Sequence, residues 1–192
     1  MDDTARIMIE RAGKAIARKL DADILSSIVA GVPSANTVNT GAVGTAPSYA
    51  NLLDAIAELR TAYSTTTDGT QIPFGFKPTH MVINPTTWGK LKQDTDVKNM
   101  TYRAVVTEGK PLSYAANPEY FDNAKVFQTP QIAAGNVLFV DAENLGQLIK
   151  ESDIEVYEGR LPGSPDIEVI ALMSYGIGLL YPQASALVRQ HA

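Results

Sequence analysis

Asp21 and Asp23 stand two residues apart in "KLDADIL", the first acidic pair along the chain that could hold a cation or share a proton. Either task needs both carboxylates aimed at one point, and residues i and i+2 of a helix face different ways. The pair therefore reads as a solvated or interface feature. Asp153, Glu155 and Glu158 alternate only partly along "SDIEVYEG", with no histidine nearby to complete a catalytic or metal-binding set. His80 precedes an apolar strand and reads as a packed residue; the second histidine, His191, is far off in sequence. Gly176, Ile177 and Gly178 are too few for a phosphate loop and lie inside a strand rather than before a helix. Asp68 and Gly69 make a turn. There is no G-x-S-x-G elbow, no P-loop and no metal-binding histidine pair. With no cysteine, thiol catalysis, disulfide frameworks and thiolate-bound zinc also drop out. The sequence assigns no catalytic residue, no cofactor-binding residue and no metal ligand, and implies no cofactor.

The elements that would position such residues point elsewhere. A chain of 192 residues is one large domain or two small ones. It buries roughly 70% of its unfolded surface, enough for a core without staples. A net charge of −5 suits neither phosphate-backbone binding nor a nucleic-acid partner. The opening "MDDTARIMIERAGK" is charged throughout and lacks the apolar core of a signal peptide. The one stretch long enough to cross a bilayer is "VIALMSYGIGLLYPQASALV", Val169 to Val188. Its Ser, Gly, Pro, Gln and Tyr residues interrupt it evenly. It reads instead as a strand buried on both faces, a proline-led turn and a second short strand. A soluble protein is expected, with Ser174, Gly176 and Gly178 forming a shallow strip beneath a close neighbour, the first helix.

That helix is the clearest element. Over residues 3–31, Ile9, Ala12, Ile16, Leu20, Ile24 and Ile28 make one apolar stripe, while Arg11, Lys14 and Arg18 fall on another face. Gly31 and Pro33 stop it. At ~40 Å it needs a long partner surface. Ser48 is a candidate N-cap for "YANLLDAIAELRTAYS", with Leu52, Ile56, Leu59 and Tyr63 on one face. In "HMVINPTTWGKLKQD", His80–Ile83 is a short buried strand, Asn84 caps, and Pro85 opens a helix of about ten residues with Trp88 and Leu91 inward. Residues 94–132 read as irregular. "NVLFVD", "GQLIKE" and "DIEVYEG" then read as strands.

Taken in order, the long helix, "NLLDAIAEL", the strand leading to "NPTTWGKLK", "QTPQIAAGNVLFVDAENLGQLIKESDIEVYEG" and "YGIGLLYPQASALV" resemble the major capsid proteins of tailed phages. That family has the Hong Kong 97-type fold, which encapsulin shells share. The resemblance implies an α+β chain with a peripheral domain, made of a long spine helix plus a β-sheet, and an axial α/β domain. Residues 1–44 would begin the peripheral domain, 45–140 would form the axial domain, and 141–192 would return to the peripheral sheet. It further implies that Asp94–Glu108 is the axial loop at the centre of a capsomer.

The function implied is structural and not enzymatic: a tile that meets copies of itself in pentamers and hexamers of an icosahedral shell around phage or prophage DNA. It would reside in the virion, and in host cytoplasm before assembly. Family members carry an amino-terminal arm and an extended hairpin, the E-loop, before the spine helix. This chain starts at the helix, as a truncated or a naturally short form, so the isolated chain is expected to stay a monomer or small oligomer. An encapsulin-like compartment is the alternative of the same kind. A rival of a different class is a small-ligand-binding or enzymatic α/β domain with its crevice near Asn84.

Overall fold

The computed structural model describes residues 3–41, 45–65, 67–95, 120–160 and 167–190. In chain order the helices and strands are α1 (Asp3–Gly31), β1 (Thr37–Asn39), α2 (Tyr49–Thr61), β2 (Tyr63–Thr65), β3 (Gln71–Pro73), β4 (His80–Ile83), α3 (Pro85–Leu91) and β5 (Tyr120–Phe121). There follow β6 (Ala124–Gln128), β7 (Val137–Val140), β8 (Gly146–Lys150), β9 (Glu155–Arg160), β10 (Ile167–Leu172), β11 (Tyr175–Leu179) and β12 (Ser185–Arg189). They divide into two compact units, one of residues 1–27 and 147–178, the other of residues 28–146 and 179–192.

The larger unit is built on a six-stranded mixed sheet ordered β1-β12-β7-β4-β6-β5. β1 runs parallel to β12 and β4 parallel to β6; the other neighbours are antiparallel. Register stacks Met81, Phe139 and Ala186 in one row and Ile83, Val137 and Val188 in the next, and all six are buried. α2 packs on β12 and β7 and buries Leu52, Ala55, Ile56 and Leu59, a helical spacing of three and four. Ser48 and Asn51 form a reciprocal capping box at its start. Tyr63, expected on that helical face, lies past its end in β2 and is half-exposed, because the helix stops at Thr61. At α3 the expected order holds: Asn84 accepts from the Thr86 amide at 2.9 Å, Pro85 opens the helix, and Trp88 and Leu91 are buried, though the helix spans seven residues.

Residues 94–132, expected to be irregular, contain a hairpin. β5 and β6 pair antiparallel around Asp122 and Asn123, whose φ angles of 44° and 69° are those of a tight two-residue turn. Asp and Asn tolerate that left-handed conformation, so "YFDNAKVF" carried the signal. The expected axial loop, Asp94–Glu108, lies outside the described residues beyond position 95.

In the smaller unit the stripe of α1 behaves as expected: Ile9, Ala12, Ile16, Leu20 and Ile24 are partly covered, whereas Arg11, Lys14 and Arg18 are exposed. Its strands form two ribbons, β9 with β10 and β8 with β11. Two expectations fail here. The Val169–Val188 stretch has the expected proline-led turn, at Pro182–Ala184, and the expected second short strand, β12, but what precedes them is not one two-sided strand; it is most of β10 followed by β11. β10 and β11 alternate between exposed and half-covered residues, so each buries one face only, and β12 alone is buried along Ser185–Val188. Ser185–Val188 of β12 are uncharged and buried, with Arg189 exposed at the end; the strand lies inside the larger sheet, between β1 and β7, rather than pairing with any of β8–β11.

The glycine strip is likewise corrected. Ser174, Gly176 and Gly178 are exposed, and the half-covered residues are Tyr175, Ile177 and Leu179. A Cβ added at Gly176 meets nothing within 4 Å, so Gly176→Ala is expected to change stability by no more than about 0.5 kcal/mol. Gly135 is the opposite case. Its φ is 87°, and an added Cβ would fall 1.8 Å from Gln190 Oε1. Its amide also donates to Thr87 Oγ1 at 2.7 Å, so it cannot shift away cheaply. Gly135→Ala should cost about 1–3 kcal/mol, and urea denaturation beside Gly176→Ala checks both.

Candidate assembly surfaces

Several described polar side chains of the larger unit are engaged in structural hydrogen bonds. Asn84, at the supposed crevice, accepts from the Thr86 amide and donates to the Ile132 carbonyl at 2.8 Å. His80 shares a hydrogen bond with Thr79 Oγ1 through Nδ1 at 2.8 Å and stacks its ring on Phe127. Asp141, a buried carboxylate that the sequence reading passed over, accepts from the amides of Lys77 and Glu143 and from Asn144 Nδ2. Asn36, also buried and also missed, donates to the carbonyls of Gln183 and Ser185, tying the segment after α1 to the start of β12. Among the described residues no group of three or more potential ligands could hold a metal ion, and no helix is long and apolar enough to cross a membrane.

In the smaller unit the two aspartates separate as helical geometry demands. Asp21 is exposed, while Asp23 accepts from Lys19 Nζ at 2.7 Å and from the Tyr175 hydroxyl of β11. The clip fastens α1 to the strand beneath it. The Lys19 ammonium, and then the Tyr175 hydroxyl, hold the Asp23 carboxyl below the usual carboxylate range. The carboxylate in turn raises both Lys19 and Tyr175 above their ordinary values. A lowered acid stabilises above its unfolded pKa and ceases to do so as pH falls through the folded one. A raised Lys or Tyr stabilises below its unfolded value and ceases as pH rises through the folded one. The clip therefore contributes steadily from about pH 5 to 9. The melting-temperature difference between the wild type and Asp23→Asn should be constant across that window and shrink towards zero below about pH 4; a difference that persists in acid would contradict this.

What the surface does offer is apolar strand faces. Opposite residues of an antiparallel pair point to the same side. Register therefore sets Glu155, Tyr157 and Gly159 of β9 beside Leu172, Ile170 and Glu168 of β10 on one face. Tyr157, Ile170 and Leu172 are 53%, 43% and 56% exposed. Ile149 of β8 is also exposed, as are Tyr120 and Phe127 on the edge hairpin of the larger unit, where Lys125 Nζ sits 5.3 Å above the Phe127 ring. Tyr63 and Ile72 are exposed on the β2–β3 hairpin. Contiguous exposed apolar residues rimmed by polar ones mark association surfaces. Sequence reasoning missed these faces because it read the β10–β12 run as interior.

Bare apolar strand faces beside side chains engaged in structural bonds fit a protein that works through its surfaces. Comparison with known proteins gives the particular kind. A family profile described as phage capsid protein matches residues 2–187, and the chain belongs to that phage capsid protein family as a structural, shell-forming major capsid protein. No curated protein matches the chain. Among solved structures, the capsid of an empty GTA particle is similar at 19% identity and a TM-score of 0.70, covering 99% of this chain and 67% of that one. The encapsulin SrpI of Synechococcus elongatus PCC 7942 is similar at 10% identity and a TM-score of 0.60, covering 96% and 63%. A structure titled Mycobacterium phage Che8 is similar at 16% identity and a TM-score of 0.57, covering 98% and 67%. These likenesses carry the fold, the expected α+β arrangement of the Hong Kong 97 type, and the chain spans about two thirds of their length.

Proposed function

We propose that the shell this protein builds is a phage or prophage capsid that encloses DNA, and that the chain has no enzymatic role. The observation that carries the reading is the phage capsid family match over residues 2–187. The smaller unit, with α1 and the ribbons β8–β11, is the peripheral domain, and the larger unit with the six-stranded sheet is the axial domain. A net charge of −5 supports a shell that contains nucleic acid without gripping it. Before assembly the protein resides in the host cytoplasm; afterwards it is in the virion, as pentamers and hexamers.

The encapsulin-like alternative is favoured by one observation, the likeness to SrpI. Electron microscopy of particles purified from cells making the protein decides between them, with nuclease-protected DNA inside expected and protein cargo alone contradicting the proposal. The purified 192-residue chain by itself is expected to be a monomer or small oligomer. Light scattering checks this; uniform hollow particles formed by the chain alone would overturn it.

A further inference from the structure

His80 can take up and give back a proton without losing its hydrogen-bond partner. Its Nδ1 lies 2.8 Å from Thr79 Oγ1. That oxygen also accepts from the Ala142 amide at 2.9 Å and has the Val140 carbonyl 3.1 Å away. With a neutral ring protonated at Nε2, the hydroxyl donates to Nδ1. With a charged ring, Nδ1–H donates to the hydroxyl, whose own hydrogen turns to Val140. The Val140 carbonyl keeps the Thr79 amide at 2.9 Å in both cases. Histidine is the side chain that ordinarily changes charge between pH 5 and 8.

The charge arrives beside another. Strand alternation turns Met81 and Ile83 into the core and His80 and Val82 to the opposite face. Register places Lys125 opposite His80, Phe127 opposite Val82 and Tyr120 opposite Lys125, all on that face. The His80 and Phe127 rings stack with centroids 5.3 Å apart, and Lys125 Nζ lies 5.3 Å from the centroid of the same Phe127 ring. Towards His80, then, β6 turns Lys125, β5 turns Tyr120 and β7 turns the uncharged Val140. Asp141 and Glu143 belong to the turn beyond Val140, where the Asp141 oxygens face the amides of Lys77 and Glu143. Lys125 is exposed, and a cation held over a ring in the open is held weakly. Like charges directly opposite on neighbouring strands repel.

We propose that His80 is a proton-driven switch for Lys125. Protonating the imidazole makes it the cation on Phe127 and frees the lysine ammonium to solvent. The proton comes from water and returns to it. At neutral pH this edge of the sheet shows one positive charge tied to an aromatic ring; in mild acid it shows two, and the lysine is loose.

Proton NMR of the unmodified chain between pH 8 and 5 tests this. The Phe127 ring shifts the Lys125 ε-methylene protons upfield while the ammonium stays over it. At pH 8 they should stand upfield of the free-lysine position, and they should return towards it with the same midpoint as the His80 ring protons. His80→Asn cannot gain a charge and keeps a polar atom towards Thr79, so it should hold them upfield throughout. His80→Gln serves in its place if that variant does not fold. Phe127→Leu should give the free-lysine position at every pH. Lys125 protons that are not upfield at pH 8, that stay put while His80 titrates, or that move equally in the folded His80 variant overturn the proposal.

Discussion

Trp88→Ala is expected to lower stability by about 3–5 kcal/mol, the usual cost of emptying a buried aromatic site. Trp88 is 2% exposed and sits in the first turn of a helix set by Asn84 and Pro85. That short helix has little stability of its own, so its anchorage rests on Thr87, Trp88 and Leu91. Removing the indole leaves a cavity that the surrounding side chains close only in part. For a chain of this size the melting temperature should fall by about 10 °C. A loss below about 1 kcal/mol in urea denaturation would show that the site collapses freely.

Asp141→Ala should cost about 3 kcal/mol, and for a different reason. The side chain is 4% exposed, and its two oxygens accept from the Lys77 amide at 3.1 Å, the Glu143 amide at 3.2 Å and Asn144 Nδ2 at 3.0 Å. Alanine removes three acceptor contacts at once and leaves three part-buried donors to find new partners. The same residue's amide donates to the Ala184 carbonyl at 2.8 Å, so the turn it organises also holds the entry to β12. Asp141→Asn, which keeps one acceptor oxygen, should lose roughly half as much. Equal losses for both variants would mean that the charge, rather than the acceptor geometry, matters.

Much of this architecture was legible from local pattern. The α1 stripe, the Ser48 cap and the Asn84–Pro85 helix start are short-range effects: side-chain periodicity, a capping oxygen and a fixed proline φ act within a few residues. β7, β8 and β9 were likewise legible as apolar or alternating runs between turns. The "FDNA" hairpin turn was legible too, and was passed over because the strands on either side are short. The order of these weak signals pointed to the capsid fold, and the family match over residues 2–187 agrees.

The tertiary structure alone decided where the uncharged run from Val169 to Val188 goes. An apolar strand does not state whether one face or both are covered, because that depends on neighbours distant in sequence. β12 is paired along both edges, by β1 and β7, and carries α2 packed on it, so Ser185–Val188 are buried, while β10, paired with β9 alone, leaves Ile170 and Leu172 bare. The sequence by itself therefore determined the elements and the absence of recognisable catalytic motifs. The tertiary arrangement decided which apolar residues are core and which remain exposed, since burial belongs to the arrangement of strands and not to any one of them.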